Sequence, residues 1–167
     1  MTMNERAASL SPLREKVRAL SGGDIERILS VFREKLDADA AVYLNSCVHC
    51  GLCADSCHYY LASGETEAMP AAKLDLINRV FKKHFSFMGK RLPWLAGSSG
   101  LDRELIGEWV DSLFGRCTLC GRCSLSCAMG INIFALIRTA RSAMASAGLI
   151  PSGLQSTIDT AVRTGNN

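Results

Sequence analysis

The sequence lacks the features that identify several common classes of protein. No apolar run approaches the roughly 20 residues of a membrane-spanning helix, and the first residues include no apolar segment of the secretory type. The net charge of +3 is too small to indicate nucleic-acid binding. We find no dinucleotide fingerprint, phosphate-binding loop or nucleophile beside a base. These absences predict a cytoplasmic protein with no membrane span, no nucleic-acid partner and no substrate site of its own.

Strand patterns are missing as well. No stretch alternates apolar and polar residues with the enrichment in β-branched side chains that marks a strand. Several segments instead repeat apolar residues at the 3.6-residue period of a helix. The predicted helices begin at Asp24 as N-cap, at Pro70, at a Ser99–Asp102 capping box, at Asn132 as N-cap and at Ser152. The sequence therefore predicts an all-α fold.

The start of the chain differs from the rest. Residues 1–23 show little periodicity and end in Ser21-Gly22-Gly23, so they predict a mobile leader with room for a short helix. Residues 24–167 are predicted to form the folded domain. Within that domain, Trp94 lies in a loop and is predicted to plug the core.

Cysteine is absent outside two short runs that share one spacing. All eight cysteines lie in residues 47–57 and 117–127, each with the pattern C-x2-C-x2-C-x3-C. Three thiolates at steps of three can bind one [4Fe–4S] cluster, and in ferredoxins with this run the fourth cysteine ligates the other cluster. The sequence therefore predicts an α-helical ferredoxin domain with two [4Fe–4S] clusters and crossed ligation. The predicted ligands are Cys47, Cys50, Cys53 and Cys127 for the first cluster, and Cys117, Cys120, Cys123 and Cys57 for the second.

Two other roles for the cysteines are open. A structural zinc site uses four ligands, usually as CxxC pairs, and does not need the third cysteine of each run. A disulfide framework needs an oxidising compartment, which the lack of a signal segment disfavours. His49 and His58 lie in or beside the first run and are interpreted as neighbours of the site rather than ligands. Gly51 and Gly121 are expected where the backbone passes close to a cluster.

Two further features suggest a partner protein. Hydrophobic residues make up 48% of the chain, which is consistent with apolar surface that a partner covers. The insert between the cysteine runs also carries a basic set, consisting of Lys73, Arg79, Lys82, Lys83, Lys90 and Arg91. These cations predict either a solvated helix face or a docking patch for an acidic redox partner.

The paired runs, the helical insert and the helices that lead into Cys47 and follow Cys127 resemble the C subunit of heterodisulfide reductase. They also resemble the N-terminal half of the fused heterodisulfide-reductase-like iron–sulfur proteins, including those associated with sulfite reductase and glycolate oxidase. The resemblance extends over roughly residues 24–165. It implies a domain that carries electrons to or from a CCG-domain partner similar to the B subunit of heterodisulfide reductase. A flavoprotein or a membrane cytochrome is a further implied partner, and the latter would place the protein at the membrane periphery.

Two features depart from this family pattern. His58 and Ala128 follow the fourth cysteines, where many such motifs have proline. This change concerns the cluster potentials and the exit angles of the helices rather than ligation. No CCG segment is present, so we expect either the N-terminal part of a longer protein or a partner domain on a separate chain.

Three functions compete at this point. The leading one is an electron-transfer subunit or domain of a heterodisulfide-reductase-like oxidoreductase, with no catalytic residue of its own. The second is the iron–sulfur subunit of a succinate dehydrogenase, fumarate reductase or glycolate oxidase type of complex. The dehydrogenase type also needs a [2Fe–2S] domain, and the residues before Cys47 contain no cysteine. The third is an interaction module that zinc or inert clusters stabilise.

Overall fold

The computed structural model describes residues 3–92, 94 and 97–165. Within these ranges every regular element is helical, which confirms the predicted all-α fold. The α-helices are α1 (Met3–Ala19), α2 (Gly22–Glu34), α3 (Ala38–Ser46), α4 (Leu52–Asp55), α5 (His58–Ser63), α6 (Pro70–Phe85), α7 (Phe87–Arg91), α8 (Arg103–Trp109), α9 (Arg122–Leu125), α10 (Ile133–Ser146) and α11 (Ser152–Thr164). A 3-10 turn (Thr66–Ala68) precedes α6, and a π-helical turn (Val110–Gly115) continues α8.

Helix α10 lies at the centre of the core, between α2 and α6. Its predicted inward residues, Leu136, Ile137, Ala140 and Met144, are all buried. The predicted N-cap is also confirmed, because the Asn132 side chain accepts a hydrogen bond from the Ala135 backbone N–H at 3.1 Å. A capped start fixes where this helix leaves the second cysteine run.

Two helix starts differ from the prediction. The cap of α2 is Ser21, whose hydroxyl accepts from the Asp24 N–H at 3.2 Å, while the Asp24 carboxylate accepts from the Ser21 N–H at 2.9 Å. Asp24 is therefore the reciprocal partner of a capping box, and the glycines between them belong to the first turn. In α8 the cap is Asp102, which accepts from the Leu105 N–H at 2.8 Å, and Ser99 lies outside the helix.

The tryptophan prediction was wrong. Trp94 is 80% exposed, so it does not plug the core. The tryptophan of the core is Trp109, which is fully buried and meets the Phe32 ring edge to face, with 5.4 Å between the ring centroids. Its indole N–H donates to the Leu76 carbonyl at 3.2 Å, so the polar atom of the ring is satisfied.

Helix α6 begins at Pro70 as predicted, but its basic set is not one surface. Lys73 is buried at 2% exposure, so it does not belong to the solvated face or the docking patch. Arg79 lies 3.5 Å from the carboxylate of Glu108, and Lys90 and Arg91 are exposed. Whether the remaining cations steer a partner stays a prediction.

The first residues form a helix that packs on the core, where the sequence predicted a mobile leader. In α1 and just after it, Leu10, Leu13, Val17 and Leu20 recur at steps of three or four and are all buried. The helix contacts α8 and the π-helical turn. A Cβ added to Gly115 would lie 2.7 Å from Leu10 Cδ1, so the end of the Leu10 side chain would have to shift to admit it. Pro12 inside the helix and the charged residues around it obscure the apolar stripe in the sequence.

The packing of α1 yields a stability prediction. Leu13→Ala removes a core side chain and leaves a cavity, so we expect a loss of about 2–5 kcal/mol and a lower melting temperature. Glu15→Ala, two residues away on the exposed side, is the matched control and should leave the stability within about 0.5 kcal/mol of the original. A mobile leader would instead make both variants melt like the unchanged protein.

Candidate metal centre

The two cysteine runs fold into the same local backbone shape. His49 and Leu119, each two residues after the first cysteine of its run, have left-handed φ angles of 52° and 59°. Gly51 and Gly121 follow with φ angles of 84° and 77°, and each is the N-cap of a short helix, α4 or α9. Left-handed backbone is uncommon in non-glycine residues, and the cases that exist are concentrated at functional sites. The internal repeat in the sequence is thus a repeat in conformation.

Two cavities lie beside these loops. The first is lined by four thiols and by apolar side chains that include Leu74, Met129, Ile131 and Ile133. The second is lined by four thiols together with Lys73, Arg116, Phe134 and Ile137. The thiols are those of Cys47, Cys50, Cys53 and Cys127 at the first cavity, and those of Cys57, Cys117, Cys120 and Cys123 at the second. Each cavity therefore takes three thiols from one run and one from the other.

The exchange of the fourth cysteine follows from contact between α4 and α9. Ser56 and Ser126, the residues that precede the fourth cysteines, form a hydrogen bond between their hydroxyls. Equivalent residues of the two runs are therefore in contact. After this contact, the fourth cysteine of each run lies at the cavity of the other run. Cys57 comes directly before α5 and lies beside the 3-10 turn, where its thiol donates to the Ala68 carbonyl at 3.6 Å.

The thiols differ in burial. Cys50 and Cys120 are exposed, whereas Cys53 is buried and Cys123 is half-buried. Burial raises the pKa of the Cys123 thiol to about 11, and it also raises the pKa of Cys53. Both groups therefore hold their protons near neutral pH in the metal-free chain. Binding of iron as thiolate must release these protons, so ligation is favoured at higher pH.

The second cavity has a polar frame. The Arg141 guanidinium donates to the Leu113 carbonyl at 2.9 Å and to the Cys117 carbonyl, so it ties the π-helical turn to the start of the second run. The Leu119 backbone N–H donates to Cys117 Sγ at 3.3 Å. Arg116 pairs with the Glu65 carboxylate at 2.7 Å. These contacts hold the first cysteine of this run in place.

Lys73 is the residue of this cavity that sequence reasoning missed. Its ammonium donates to the Ala68 carbonyl at 2.5 Å, and burial lowers the pKa of Lys73, an effect that the nearby thiols of Cys57 and Cys117 oppose. The signal was present in the sequence, because Lys73 lies in the apolar stripe of α6 with Pro70, Ile77 and Val80, all of them buried. The lining of the first cavity includes no buried cation, and His49 beside it forms an exposed pair with Asp75 at 2.9 Å.

The chemistry of the donor set fits an iron–sulfur group. Each set consists of four thiols and no carboxylate, with an apolar wall and a left-handed glycine beside it. Among the described residues, no three or more cysteine, histidine or acidic side chains converge closely enough to hold one metal ion. Of the helices described, none combines the length and the apolar character that a membrane span requires.

A helical core that presents two such thiol sets defines an α-helical iron–sulfur protein. The profile of the 4Fe-4S dicluster domain family matches residues 43–131, about half of the chain and both cysteine runs. The chain belongs to this family and binds [4Fe–4S] clusters through it.

Relatives confirm the resemblance to heterodisulfide-reductase-like proteins. An Hdr-like menaquinol oxidoreductase iron-sulfur subunit of Archaeoglobus profundus is 37% identical over 144 residues, which are 85% of this chain and 26% of that protein. The iron-sulfur subunit 2 of the same name from Archaeoglobus fulgidus is 32% identical over the same shares. The D subunit of the dihydromethanophenazine:CoB–CoM heterodisulfide reductase of Methanosarcina acetivorans is 30% identical over 75% of this chain and 30% of its own length.

The chain therefore spans about a quarter to a third of the length of these curated relatives. No solved structure matches it.

The left-handed glycines yield a prediction about cluster retention. Gly121→Ala places a side chain at φ 77° and adds a Cβ 3.7 Å from the Phe134 ring, so we expect about 1–2 kcal/mol of strain and a lower iron content after purification. Gly107→Ala, in α8 with open space around it, is the control and should stabilise the helix by about 0.5–1 kcal/mol. Iron analysis and thermal melting compare the two. Equal iron content and equal melting in both variants would show that the left-handed turn is not required.

Proposed function

We propose that the chain is an electron-transfer subunit or domain of a heterodisulfide-reductase-like oxidoreductase and that it holds two [4Fe–4S] clusters. The observation that carries this proposal is the pair of cavities, each with four thiols drawn from both cysteine runs. A [4Fe–4S] cluster at each site would supply one-electron transfer. The residues around the sites offer thiols, with apolar side chains at the first cavity and both apolar and cationic side chains at the second.

We propose crossed ligation at these sites. The first cluster is held by Cys47, Cys50, Cys53 and Cys127, and the second by Cys117, Cys120, Cys123 and Cys57. The lining of the two cavities and the contact between Ser56 and Ser126 support this assignment. Both cysteine runs are then needed for either cluster.

We propose that the partner is a CCG-domain protein or domain, similar to the B subunit of heterodisulfide reductase. Apolar side chains beside both sets of thiols support partner contacts at each, since Leu125 of the second run is 90% exposed and Val48 and Met129 at the first cavity are 64% and 50% exposed. The matched relatives are also three to four times longer than the matched region. Two of them are named for menaquinol, so a membrane cytochrome or a flavoprotein is the proposed second partner. A cytoplasmic chain held at the membrane through that partner follows from this arrangement.

The cluster content is the first test of the proposed function. Protein purified without oxygen should contain about eight irons and eight acid-labile sulfides per chain, because two [4Fe–4S] clusters carry four of each. Dithionite should bleach its visible absorption. Two tightly bound zinc ions without labile sulfide would instead establish the metal-stabilised interaction module.

Crossed ligation predicts reciprocal effects of the two fourth cysteines. Cys57→Ser should alter the cluster held by Cys117, Cys120 and Cys123, although it lies in the other run. Cys127→Ser is its matched counterpart and should alter only the cluster held by Cys47, Cys50 and Cys53. Electron paramagnetic resonance of the reduced variants distinguishes the two signals. If each variant disturbs the cluster of its own run, ligation is not crossed.

A further inference from the structure

The two candidate cluster sites differ in their fixed charge. Helix α6 begins between them, with Ala71 and Leu74 at the first cavity and Lys73 at the second. The lining of the first cavity contains no lysine or arginine. Its one titratable neighbour besides the thiols is His49, which is exposed and paired with Asp75. The difference arises from the sequence of a single helical turn.

Lys73 is held rigidly and is shielded from water. Its ammonium donates to the Ala68 carbonyl at 2.5 Å, and only 2% of the residue is exposed. In the described part of the chain no carboxylate lies within ion-pair distance of it. A buried cation without a counter-charge is strongly unfavourable. The opposite charge available in this cavity is that of the thiolates that would hold a cluster.

Two of the other cations near the second cavity are compensated or exposed, and a third is bound to carbonyls. Arg116 is paired with Glu65 at 2.7 Å. Arg122 is exposed to solvent, which screens its charge. Arg141 donates to the carbonyls of Leu113 and Cys117 and adds to the positive field from the protein side. Of the lysines and arginines that line the second cavity, Lys73 is the buried one, and a substitution can remove its charge without breaking an ion pair.

We propose that Lys73 is the counter-charge of the second site and raises its reduction potential above that of the first. This inference rests on the proposed function. Reduction adds one negative charge to a site, and a fixed cation in a low-dielectric wall stabilises that charge more than water would. The first site, with its apolar wall, receives no such stabilisation.

The consequence is a direction for electron flow inside the chain. With a cluster at each site, one electron would pass from the site of Cys47, Cys50, Cys53 and Cys127, which would be oxidised, to the site of Cys117, Cys120, Cys123 and Cys57, which would be reduced. No bond breaks and no proton moves in this step. A one-electron redox centre of one partner refills the first site, and a one-electron acceptor of the other partner empties the second. The CCG partner is therefore expected on the side of the second site when electrons flow towards disulfide reduction.

The test is a redox titration of the purified, cluster-loaded chain, followed by electron paramagnetic resonance. Lys73→Gln keeps a hydrogen-bond donor for the Ala68 carbonyl and removes the charge, whereas Lys73→Arg keeps the charge. Arg138→Gln is the matched control, because Arg138 carries the same charge on α10 next to the lining residue Ile137 but is exposed. The signals altered by Cys57→Ser and Cys127→Ser assign each reduction step to its site.

We expect Lys73→Gln to disfavour reduction of the second site at least tenfold, which is about 59 mV for a one-electron couple. The first site should not move, and Lys73→Arg and Arg138→Gln should leave both potentials in place. Unchanged potentials in a fully loaded Lys73→Gln variant overturn the inference and leave the proposed function intact. Equal shifts of both sites, or loss of the second cluster from Lys73→Gln, also overturn it, because they indicate a structural role for Lys73. An unaltered chain that binds no iron and sulfide overturns the proposed function instead.

Discussion

One geometric constraint governs this fold: thiols from two distant segments must reach the same cavity. The runs begin 70 residues apart, at Cys47 and Cys117, and each cavity draws on both. Two helices hold the cavities side by side, because the first turns of each helix supply lining residues to both cavities. Helix α6 supplies Leu74 to the first and Lys73 to the second, and α10 supplies Ile133 to the first and Ile137 to the second. The hydrophobic core behind these helices therefore positions the metal centre.

The grouping of the cysteines into two sets and the starts of several helices could be predicted from the sequence. The spacing grouped the thiols in the same sets that line the two cavities, and Asn132 and Pro70 marked helix starts because their local chemistry leaves few alternatives. Tertiary packing decided the rest. The apolar stripe of α1 is interrupted by Pro12, and the contact of Leu10 with Gly115 is what shows that the stripe faces the core. The sequence alone also does not show which of Trp94 and Trp109 is buried, because that depends on tertiary packing. The residue type of Lys73 predicts a solvated cation, whereas its helical phase places it on the buried apolar stripe of α6.

The site is electrostatically incomplete as a bare polypeptide. Burial raises the pKa of the Cys53 and Cys123 thiols, and it lowers the pKa of the Lys73 ammonium. Each of these shifts records a charged form that the protein interior disfavours. Thiolates and a cation can stabilise one another when iron is bound. Burial of either charge alone is unfavourable, but burial of both together is less so. Metal loading and the stability of the folded chain are therefore coupled.

The shared cavities also have a consequence for biosynthesis. A ribosome delivers Cys57 long before Cys117, and the first cavity still lacks Cys127 when the second already has its four thiols. A nascent chain that ends in α6 thus exposes four cysteines and has no complete cavity for them. With crossed ligation, neither cluster site would be complete before α9 has been translated and has met α4, and the first would also need Cys127, which follows α9. Under the proposed crossed ligation, iron–sulfur assembly would be a late event, and the reduced thiols of the first run would need protection from oxidation until then.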